Sequence, residues 1–324
     1  MTPLRVLMLG TPTFAVPTLE ALLASPHEVV GLVCQPDRPR GRGQKVLAPP
    51  TKSIAEARGM PVFQPLRLRD KAVMQALGDL RADIGVVAAY GHILPDALIE
   101  LPARGMINVH ASLLPRYRGA APIQRAVMAG DDATGVTIMR VVRELDAGPM
   151  LAAATLPIDA DATSVEVERA LAVSGAELLV ATLDRLASGE AVPEIPQDDR
   201  LATYAAKIER ADGLIDWTRP ARDIHNQVRG LHPWPHAFTY LEGARVLIHR
   251  TSARDAEVAV AAPHGTLLAA GPEGIDVATG GGVLRVVALQ PEGKRVMPAR
   301  AWLAGHRPPN FRTAERPNLR FSTP

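Results

Sequence analysis

Three polar residues in the first half of the chain have the types and spacing needed for acyl transfer: Asn108, His110 and Asp146. Asn108 and His110 are two residues apart in a short apolar run, so in a β-strand both side chains point to the same face. Asp146 lies in a Leu-Asp-Ala-Gly-Pro turn that follows another apolar run. An amide donor, an imidazole and a carboxylate together can stabilise an oxyanion and move a proton without a covalent intermediate. Taken alone, each residue would be expected to be structural, and Asp146 to be a turn former.

The elements that must position these residues are those of an α/β domain. Continuous apolar strand patterns alternate with helical patterns, which predicts a Rossmann-like, doubly wound and mostly parallel sheet covered by helices on both faces. Ligands bind such sheets at the carboxyl ends of the strands, where Asn108 and His110 fall. The predicted strands are 4–9, 28–34, 83–89, 106–109 and 136–142, and the predicted helices are 17–24, 51–58, 70–80 and 123–129. A capping box from Thr163 to Glu166 predicts the start of a last helix, which fades near Gly189.

The pattern changes in the second half of the chain. We expect a catalytic domain over residues 1–188, a Pro-rich and acidic linker over 189–206, a second domain over 207–307 and a basic, Pro-rich tail over 308–324. The second domain shows a helical pattern followed by short strand patterns, at 221–229 and then at 236–241, 245–249, 265–270, 275–278 and 283–289. Short strands separated by glycine-containing turns predict a small β-barrel of the oligonucleotide-binding kind, the OB-fold.

Composition excludes several classes of protein. The chain is 47% apolar and 22% charged, which is ordinary for a globular protein. Its one cysteine, Cys34, excludes a disulfide framework and is expected to be a buried thiol. No segment reads as a signal peptide, and none approaches the roughly 20 apolar residues of a membrane helix. We therefore expect a cytoplasmic protein without membrane association. Because no heptad pattern or long apolar edge is evident, we expect a monomer.

Charge is distributed unevenly over the two halves. The net charge of the chain is +2, yet residues 205–324 contain 16 Lys+Arg against 11 Asp+Glu. A basic second half is suited to a polyanionic partner such as a nucleic acid.

Several cofactor motifs are missing or incomplete. The first turn, Gly10 to Ala15, lacks the second glycine of G-x-G-x-x-G, and Pro12 removes a backbone N–H, so no dinucleotide site is expected. Neither a phosphate-binding P-loop nor a G-x-S-x-G elbow is present. His232 and His236 are four residues apart, but the intervening prolines forbid the helix that would align them, so we expect no metal.

Longer motifs around the three polar residues resemble those of the methionyl-tRNA formyltransferases. They are Asn108-Val-His-Ala-Ser-Leu-Leu-Pro115, Gly119-Ala-Ala-Pro-Ile-Gln124, Gly135-Val-Thr-Ile-Met139, Leu145-Asp-Ala-Gly148, the Gly10-Thr-Pro12 turn, the loop 35–43, Ala211–Trp217 and His232-Pro-Trp-Pro235. The resemblance covers about residues 4–305 and departs mainly in the tail. It implies an enzyme that transfers the formyl group of 10-formyltetrahydrofolate to the α-amino group of initiator methionyl-tRNA, without a metal.

The resemblance also implies roles for individual residues. Asn108 would donate to the oxyanion, and His110 would stabilise it or relay a proton. Asp146 would orient His110 and help to take a proton from the attacking ammonium. The reduced folate would lie against apolar groups and backbone amides of two segments, namely Tyr90, Ile93 and Leu94, and Ser112, Leu113, Leu114 and Pro115. The tRNA would be contacted by Arg42, the position of the family's key arginine, and by Arg38, Lys45, Lys294 and Arg295. From the residues alone, Ile93 and Leu94 could equally be core, and the basic residues a solvated face.

Four alternative functions stay open. A glycinamide ribonucleotide formyltransferase, a formyl-sugar transferase and a folate hydrolase share the Asn, His and Asp. The first of these lacks a second domain of this kind, and the Arg42 loop discriminates against the second. A non-enzymatic RNA-binding protein would have no affinity for folate, and the set formed by Asn108, His110 and Asp146 argues against it.

Overall fold

A computed structural model of the chain describes residues 2–40, 45–254, 262–305 and 321–322. The chain divides into two compact units. Unit 1 comprises Met1–Pro122, Ala133–Pro157 and Glu168–Ala205, and unit 2 comprises Ile123–Asp132, Ile158–Val167 and Ala206–Pro324. Two short segments that we expected in the catalytic domain therefore belong to unit 2.

Strands and helices alternate along the first part of the chain. In chain order the elements are β1 (Arg5–Gly10), α1 (Ala15–Ala24), β2 (Glu28–Val33), β3 (Arg38–Arg40), β4 (Lys45–Leu47), α2 (Pro50–Ala57), β5 (Val62–Phe63), α3 (Lys71–Asp79), β6 (Ile84–Ala88), α4 (Asp96–Ile99), β7 (Met106–His110), β8 (Arg118–Gly119), α5 (Pro122–Ala129), β9 (Ala133–Arg140), β10 (Met150–Pro157), α6 (Ser164–Ser188) and β11 (Tyr204–Ala205).

The core of unit 1 is a seven-stranded sheet in the order β10-β9-β7-β6-β1-β2-β5. The pairs from β5 through β2, β1 and β6 to β7 are parallel, whereas β9 and β10 are antiparallel to their neighbours. This confirms the mostly parallel α/β sheet. The chain winds outward from β1 to β5, then returns to β6 on the other side of β1 and continues to β7. The carboxyl ends of β1 and β6 therefore form the switch point at which such sheets open a crevice for ligands.

The central strand β6 is apolar throughout, and β1 is apolar except for Arg5 at its start. In β1, Val6, Leu7, Met8 and Leu9 are all fully buried, as are Ile84 and Val86 in β6. A strand covered on both faces has no solvent-facing side, so its sequence does not alternate between apolar and polar residues. Each such side chain contributes about 1.5–3 kcal/mol by leaving water, which stabilises the strands whose ends carry the polar residues.

The structure adds elements that the sequence patterns do not reveal. β10 is a full edge strand of eight residues whose small side chains, Leu-Ala-Ala-Ala-Thr-Leu, carry little strand preference. The hairpin of β3 and β4, the two-residue β5 and the four-residue α4 are also additional. The strand predicted at 136–142 begins three residues earlier, at Ala133, because pairing with β10 extends it.

The segment expected as a linker is largely part of unit 1. Ile195 exchanges backbone hydrogen bonds with Met150 at 2.8 Å, and β11 pairs in parallel with β8. Its Pro-rich, acidic composition predicted a solvated connection, but its backbone groups bind the strands and turns of the sheet domain. Composition does not report such long-range pairing.

Unit 2 contains the second set of strands. Its later elements are α7 (Ala221–Gly230), β12 (Ala237–Leu241), β13 (Ala244–Arg254), β14 (Leu267–Gly271), β15 (Gly274–Ala278), β16 (Val283–Pro291), β17 (Met297–Pro298), α8 (Ala299–Gly305) and β18 (Phe321–Ser322). All five predicted strands and the predicted helix are present. The sheet runs in the order β14-β15-β16-β13-β12-β18, with β17 on β16. The described pairings form an open path, and the OB-fold assignment stays a prediction.

One of the two short segments contacts the rest of unit 2 through an ion pair. Arg125 of α5 binds Asp212 with two guanidinium nitrogens at 3.1 and 3.3 Å. The predicted capping box is confirmed, since the Thr163 backbone N–H donates to Glu166 at 2.8 Å. Among the described residues, no helix combines the length and apolarity needed to cross a membrane.

Candidate active site

The carboxyl end of β7 places Asn108 and His110 on one face of the sheet. β7 lies between β6 and the antiparallel β9, so that His110 is opposite Thr137 and Asn108 is opposite Met139. His110 is 5% exposed, whereas Asn108 is half-buried. The expected same-face arrangement thus occurs at the sheet edge where ligands bind in this class of fold.

The His110 ring is fixed by the backbone of the loop that follows it. Its Nε2 lies 3.0 Å from the carbonyl oxygen of Tyr117. Because a carbonyl only accepts, Nε2 carries the hydrogen, and Nδ1 of the neutral ring is left with a free lone pair. Nδ1 is 3.7 Å from Oδ2 of Asp146, which is too long for a hydrogen bond. We had expected Asp146 to orient His110. The orienting hydrogen bond instead goes to the carbonyl oxygen of Tyr117.

Asp146 is held by a turn with an uncommon backbone. Its φ is +50°, in the left-handed region, and its Oδ2 accepts a 2.8 Å hydrogen bond from the Gly119 N–H. Gly119 has φ of +114° and packs so closely on Tyr204 that a side chain there would collide with the ring. The carboxylate is thereby positioned beside the bare nitrogen of His110.

A clamp outside the three predicted residues holds the Asp146 turn. The Gln197 amide Nε2 donates to the carbonyl oxygens of both Asp146 and Gly148, each at 2.8 Å. Its Oε1 accepts from Arg118 Nε at 2.9 Å, and Arg118 also binds Asp199. The clamp comes from the segment that composition predicted to be a linker.

The Asn108 amide is available to a substrate. Within the described ranges of the chain, its side chain makes no hydrogen bond, although it is half-buried. A half-buried donor without a protein partner is an unmet hydrogen-bonding group, which a substrate oxygen can satisfy.

The loop after β7 is tied to the sheet through one hydroxyl. Thr137 Oγ1 donates to the Ser112 carbonyl at 2.7 Å and accepts from the Leu114 N–H at 3.2 Å. Ser112 Oγ in turn donates to the Arg116 carbonyl at 2.6 Å. These hydrogen bonds fix the conformation of the loop that brings the Tyr117 carbonyl next to His110.

Comparison with known proteins matches this chain to one family over both of its parts. The formyl transferase family matches residues 4–183, and the formyl transferase C-terminal domain matches residues 207–307. This chain belongs to the formyl transferase family. The methionyl-tRNA formyltransferase of Moorella thermoacetica is 48% identical over 303 residues, which are 94% of this chain and 96% of that protein. That of Citrifermentans bemidjiense is 47% identical over 307 residues, 95% of each chain.

Solved structures share the formyl transferase fold at low identity. The sugar 3N-formyl transferase WlaRD has a TM-score of 0.66 at 16% identity, covering 91% of this chain and all of that one. HypX from Aquifex aeolicus, solved with tetrahydrofolic acid, has a TM-score of 0.62 at 16% identity, covering 99% of this chain and 51% of that one. These likenesses establish the fold and no substrate.

The residues expected to contact folate fall into three environments. Tyr90 is 3% exposed in the core, where burial raises its pKa to about 12, and Leu94 packs beside it. Ile93, in contrast, is 88% exposed at the same sheet edge. In the other segment Ser112 and Leu114 are buried, whereas Leu113 and Pro115 are half-buried. Ile93 and the backbone groups of these segments are therefore the candidates for direct contact with folate, whereas Leu94 packs against the core.

A polar network, which the sequence patterns did not reveal, lines the switch point of the sheet. The Tyr90 carbonyl accepts from the Gln35 amide at 3.2 Å, and Gln35 Oε1 lies 2.8 Å from His92 Nε2. The Gln35 N–H donates to Thr11 Oγ1 at 3.1 Å. No local pattern marks these residues, because they come together only when β1, β2 and β6 pair.

The residues expected to contact tRNA are only partly visible. Arg38 is exposed and donates to Gln35 Oε1 at 3.2 Å. Arg42 lies outside the described residues, and only the backbone of Lys45 is described, in β4. Lys294 and Arg295 are exposed between β16 and β17 of unit 2. The expectation for these five residues stays a prediction.

Cys34 is the buried thiol expected from its apolar surroundings. It is fully buried and free, and burial raises its pKa to about 11. A protonated, buried thiol is a poor nucleophile, so formyl transfer does not pass through it.

Proposed function

We propose that this chain transfers the formyl group of 10-formyltetrahydrofolate to the α-amino group of initiator methionyl-tRNA, giving N-formylmethionyl-tRNA. The observation that carries the proposal is the arrangement of Asn108 and His110 at the end of β7, with the Asp146 carboxylate beside the His110 ring. Two methionyl-tRNA formyltransferases, 47–48% identical over nearly the whole chain, support the choice of substrate.

The formyl donor, 10-formyltetrahydrofolate, supplies an electrophilic formyl carbon and a leaving nitrogen that must be protonated as it departs. The residues present fit it, since an unpartnered amide, a bare imidazole nitrogen and the exposed Ile93 share one sheet edge. Asn108 donates its N–H to the oxyanion that develops on the formyl oxygen. Losing one such donor costs on the order of 10²–10³ in turnover, because water cannot replace it in a preorganised site.

His110 accepts a proton at Nδ1. The Tyr117 carbonyl fixes the tautomer, so the lone pair faces Asp146 across 3.7 Å. Asp146 stabilises the imidazolium formed there by charge, since opposite charges at this distance in a part-buried site attract strongly. The pair thus takes the proton released when the amine attacks, and the imidazolium can return one to a leaving group.

The tRNA is held by basic residues outside this cluster. We propose that Arg38, Arg42 and Lys45 meet the acceptor end and that Lys294 and Arg295, on a barrel of the OB kind, bind phosphates. We also propose that the protein acts as a monomer in the cytoplasm, where initiator tRNA is charged.

The decisive experiment offers one enzyme several acceptors. The protein is incubated with 10-formyltetrahydrofolate and charged initiator tRNA, glycinamide ribonucleotide or a nucleotide-linked amino sugar, and the formylated product is identified by mass spectrometry. We expect formyl-methionine from the tRNA alone. Formylation of the sugar or of the ribonucleotide, or hydrolysis of the donor without an acceptor, would assign the protein to one of the alternative functions.

Two variants separate chemistry from tRNA binding. His110→Ala should leave affinity for tRNA within about twofold while turnover falls by roughly 10²–10⁴. Arg42→Ala should weaken formylation of charged tRNA far more than folate binding, measured by titration. Near-normal turnover of His110→Ala would show that His110 takes no part in the mechanism. If Arg42→Ala lost tRNA formylation and folate binding to the same extent, Arg42 would have no specific role in tRNA recognition.

A further inference from the structure

Three histidines of unit 2 form a cluster that the proposed transferase chemistry does not use. They are His232, His236 and His249, and one nitrogen from each lies within 4.8 Å of the others. The His236 ring centroid is 5.4 Å from that of His232 and 4.2 Å from that of His249. The sequence argued against a metal site because prolines forbid a helix between His232 and His236.

The structure aligns these histidines without a helix. The chain folds back so that the His236 N–H donates to the Leu231 carbonyl at 3.1 Å, which brings His232 beside His236. β12 then pairs with β13 so that Ala237 is opposite Ile248. His236 directly precedes Ala237 and His249 directly follows Ile248, and their ring centroids are 4.2 Å apart.

The His249 ring is oriented by a hydrogen bond outside the cluster. Its Nε2 lies 3.1 Å from Gln290 Oε1, and the Gln290 amide nitrogen donates to the Lys294 carbonyl at 2.9 Å. Since Gln290 presents its oxygen, His249 Nε2 donates and Nδ1 carries the lone pair. Histidines that bind metals are commonly oriented in this way, with the second ring nitrogen donating to an oxygen.

Of the other two histidines, His232 has an unmet ring nitrogen and His236 has a strained backbone. His232 Nδ1 is shielded from solvent and has no hydrogen-bond partner among the described residues. His236 has φ of +66°, in the left-handed region that favours glycine, so any side chain at this position strains the backbone.

We infer that His232, His236 and His249 bind one divalent transition-metal ion of the zinc class. Neutral imidazoles suit zinc and its neighbours rather than magnesium or calcium, which prefer oxygen ligands. Tetrahedral zinc with bonds of about 2.0–2.1 Å separates its ligand nitrogens by roughly 3.3–3.4 Å, so binding requires small rotations of the three rings. The ion would fasten the turn before β12 to β13, and it takes no part in formyl transfer.

The test measures zinc binding to the untagged, full-length protein after treatment with a chelator. Equilibrium dialysis against Zn²⁺, with metal quantified by mass spectrometry, should give one ion per chain. His249→Gln and His236→Gly should each weaken binding at least about 100-fold, while Gln290→Leu should weaken it about 10-fold or more. His264→Gln, an exposed histidine of the same unit, is the matched control and should bind as the wild type.

The choice of variants guards against loss of folding. Glycine suits the positive φ at position 236, so His236→Gly should fold at least as well as the wild type without metal. Zinc should raise the thermal midpoint of the wild type but not that of His236→Gly. Failure of the wild type to bind zinc, or unchanged binding by both His236→Gly and His249→Gln, would overturn the inference.

Discussion

Replacing Gln197 with methionine tests whether the turn that carries Asp146 must be clamped for catalysis. Methionine matches glutamine in length but cannot donate, so both 2.8 Å bonds to the carbonyls of Asp146 and Gly148 are lost. The acceptor for Arg118 Nε is lost as well. No bond to His110 or Asn108 is touched.

The magnitude follows from the two bonds to the turn. A neutral hydrogen bond contributes about 1 kcal/mol net, so the held form of the turn loses about 2 kcal/mol relative to relaxed forms. Since Asp146 sits at φ of +50°, the backbone itself favours relaxation. An energy of about 2 kcal/mol corresponds to a shift of roughly 30-fold in the equilibrium. We therefore expect kcat to fall by up to about 30-fold, while KM for tRNA changes by less than about twofold.

The assay is single-turnover formylation of charged tRNA, with thermal unfolding measured in parallel. Gln75→Met, an exposed glutamine of α3 in the same unit, is the control and should retain wild-type kcat. In an Asp146→Asn background, Gln197→Met should add little further loss, because both changes act through the same carboxylate. Lower stability with an unchanged kcat, or full additivity with Asp146→Asn, would refute the positioning role.

Three further predictions follow from individual contacts. Gly148→Ala places a methyl group against the Arg140 carbonyl, so the unfolding free energy measured in urea should fall by about 1–3 kcal/mol. Activity should fall by more than it does in Gln197→Met, and normal activity would contradict this. Burial lowers the pKa of His225 below 6.5, so as the pH falls the unfolded chain takes up a proton at this histidine before the folded chain does. The unfolding free energy should therefore decrease as the pH drops below about 6.5. His225→Gln should reduce this dependence of the unfolding free energy on pH in urea titrations. Cys34 should not react with a thiol reagent at pH 8 in the native protein but should react fully in denaturant, and rapid native labelling would show that it is accessible.

The regular elements were largely predictable from local patterns. Strands such as β1 and β6 are buried on both faces, and a continuous apolar run reports that burial directly. β10 was missed because an edge strand of small residues owes its structure to pairing with β9 rather than to its own preference. The pairing of segment 189–206 with unit 1 was likewise not predictable, since its composition is that of a solvated segment while its backbone pairs with strands far away in the chain.

At the site, the spacing of residues along a strand was enough to predict which side chains share a face. Two residues two apart on a strand must share a face, and this placed Asn108 with His110. The role of the Tyr117 carbonyl was not predictable, because the bond depends on how a loop returns seven residues later. Gln197 gave no signal at all, since a single glutamine 51 residues from Asp146 in the chain has no pattern to recognise.

The amino-acid sequence by itself determined the sheet class, the two-part organisation and the residue types at the reactive edge, because periodicity and short motifs are local properties of the chain. Only the tertiary structure decided which nitrogen of His110 is bare, which group holds the Asp146 turn, and that three histidines meet in unit 2 despite their prolines. Those outcomes depend on hydrogen bonds and strand registers between segments far apart in the chain. Their geometry is set by the packing of the whole fold rather than by any local preference.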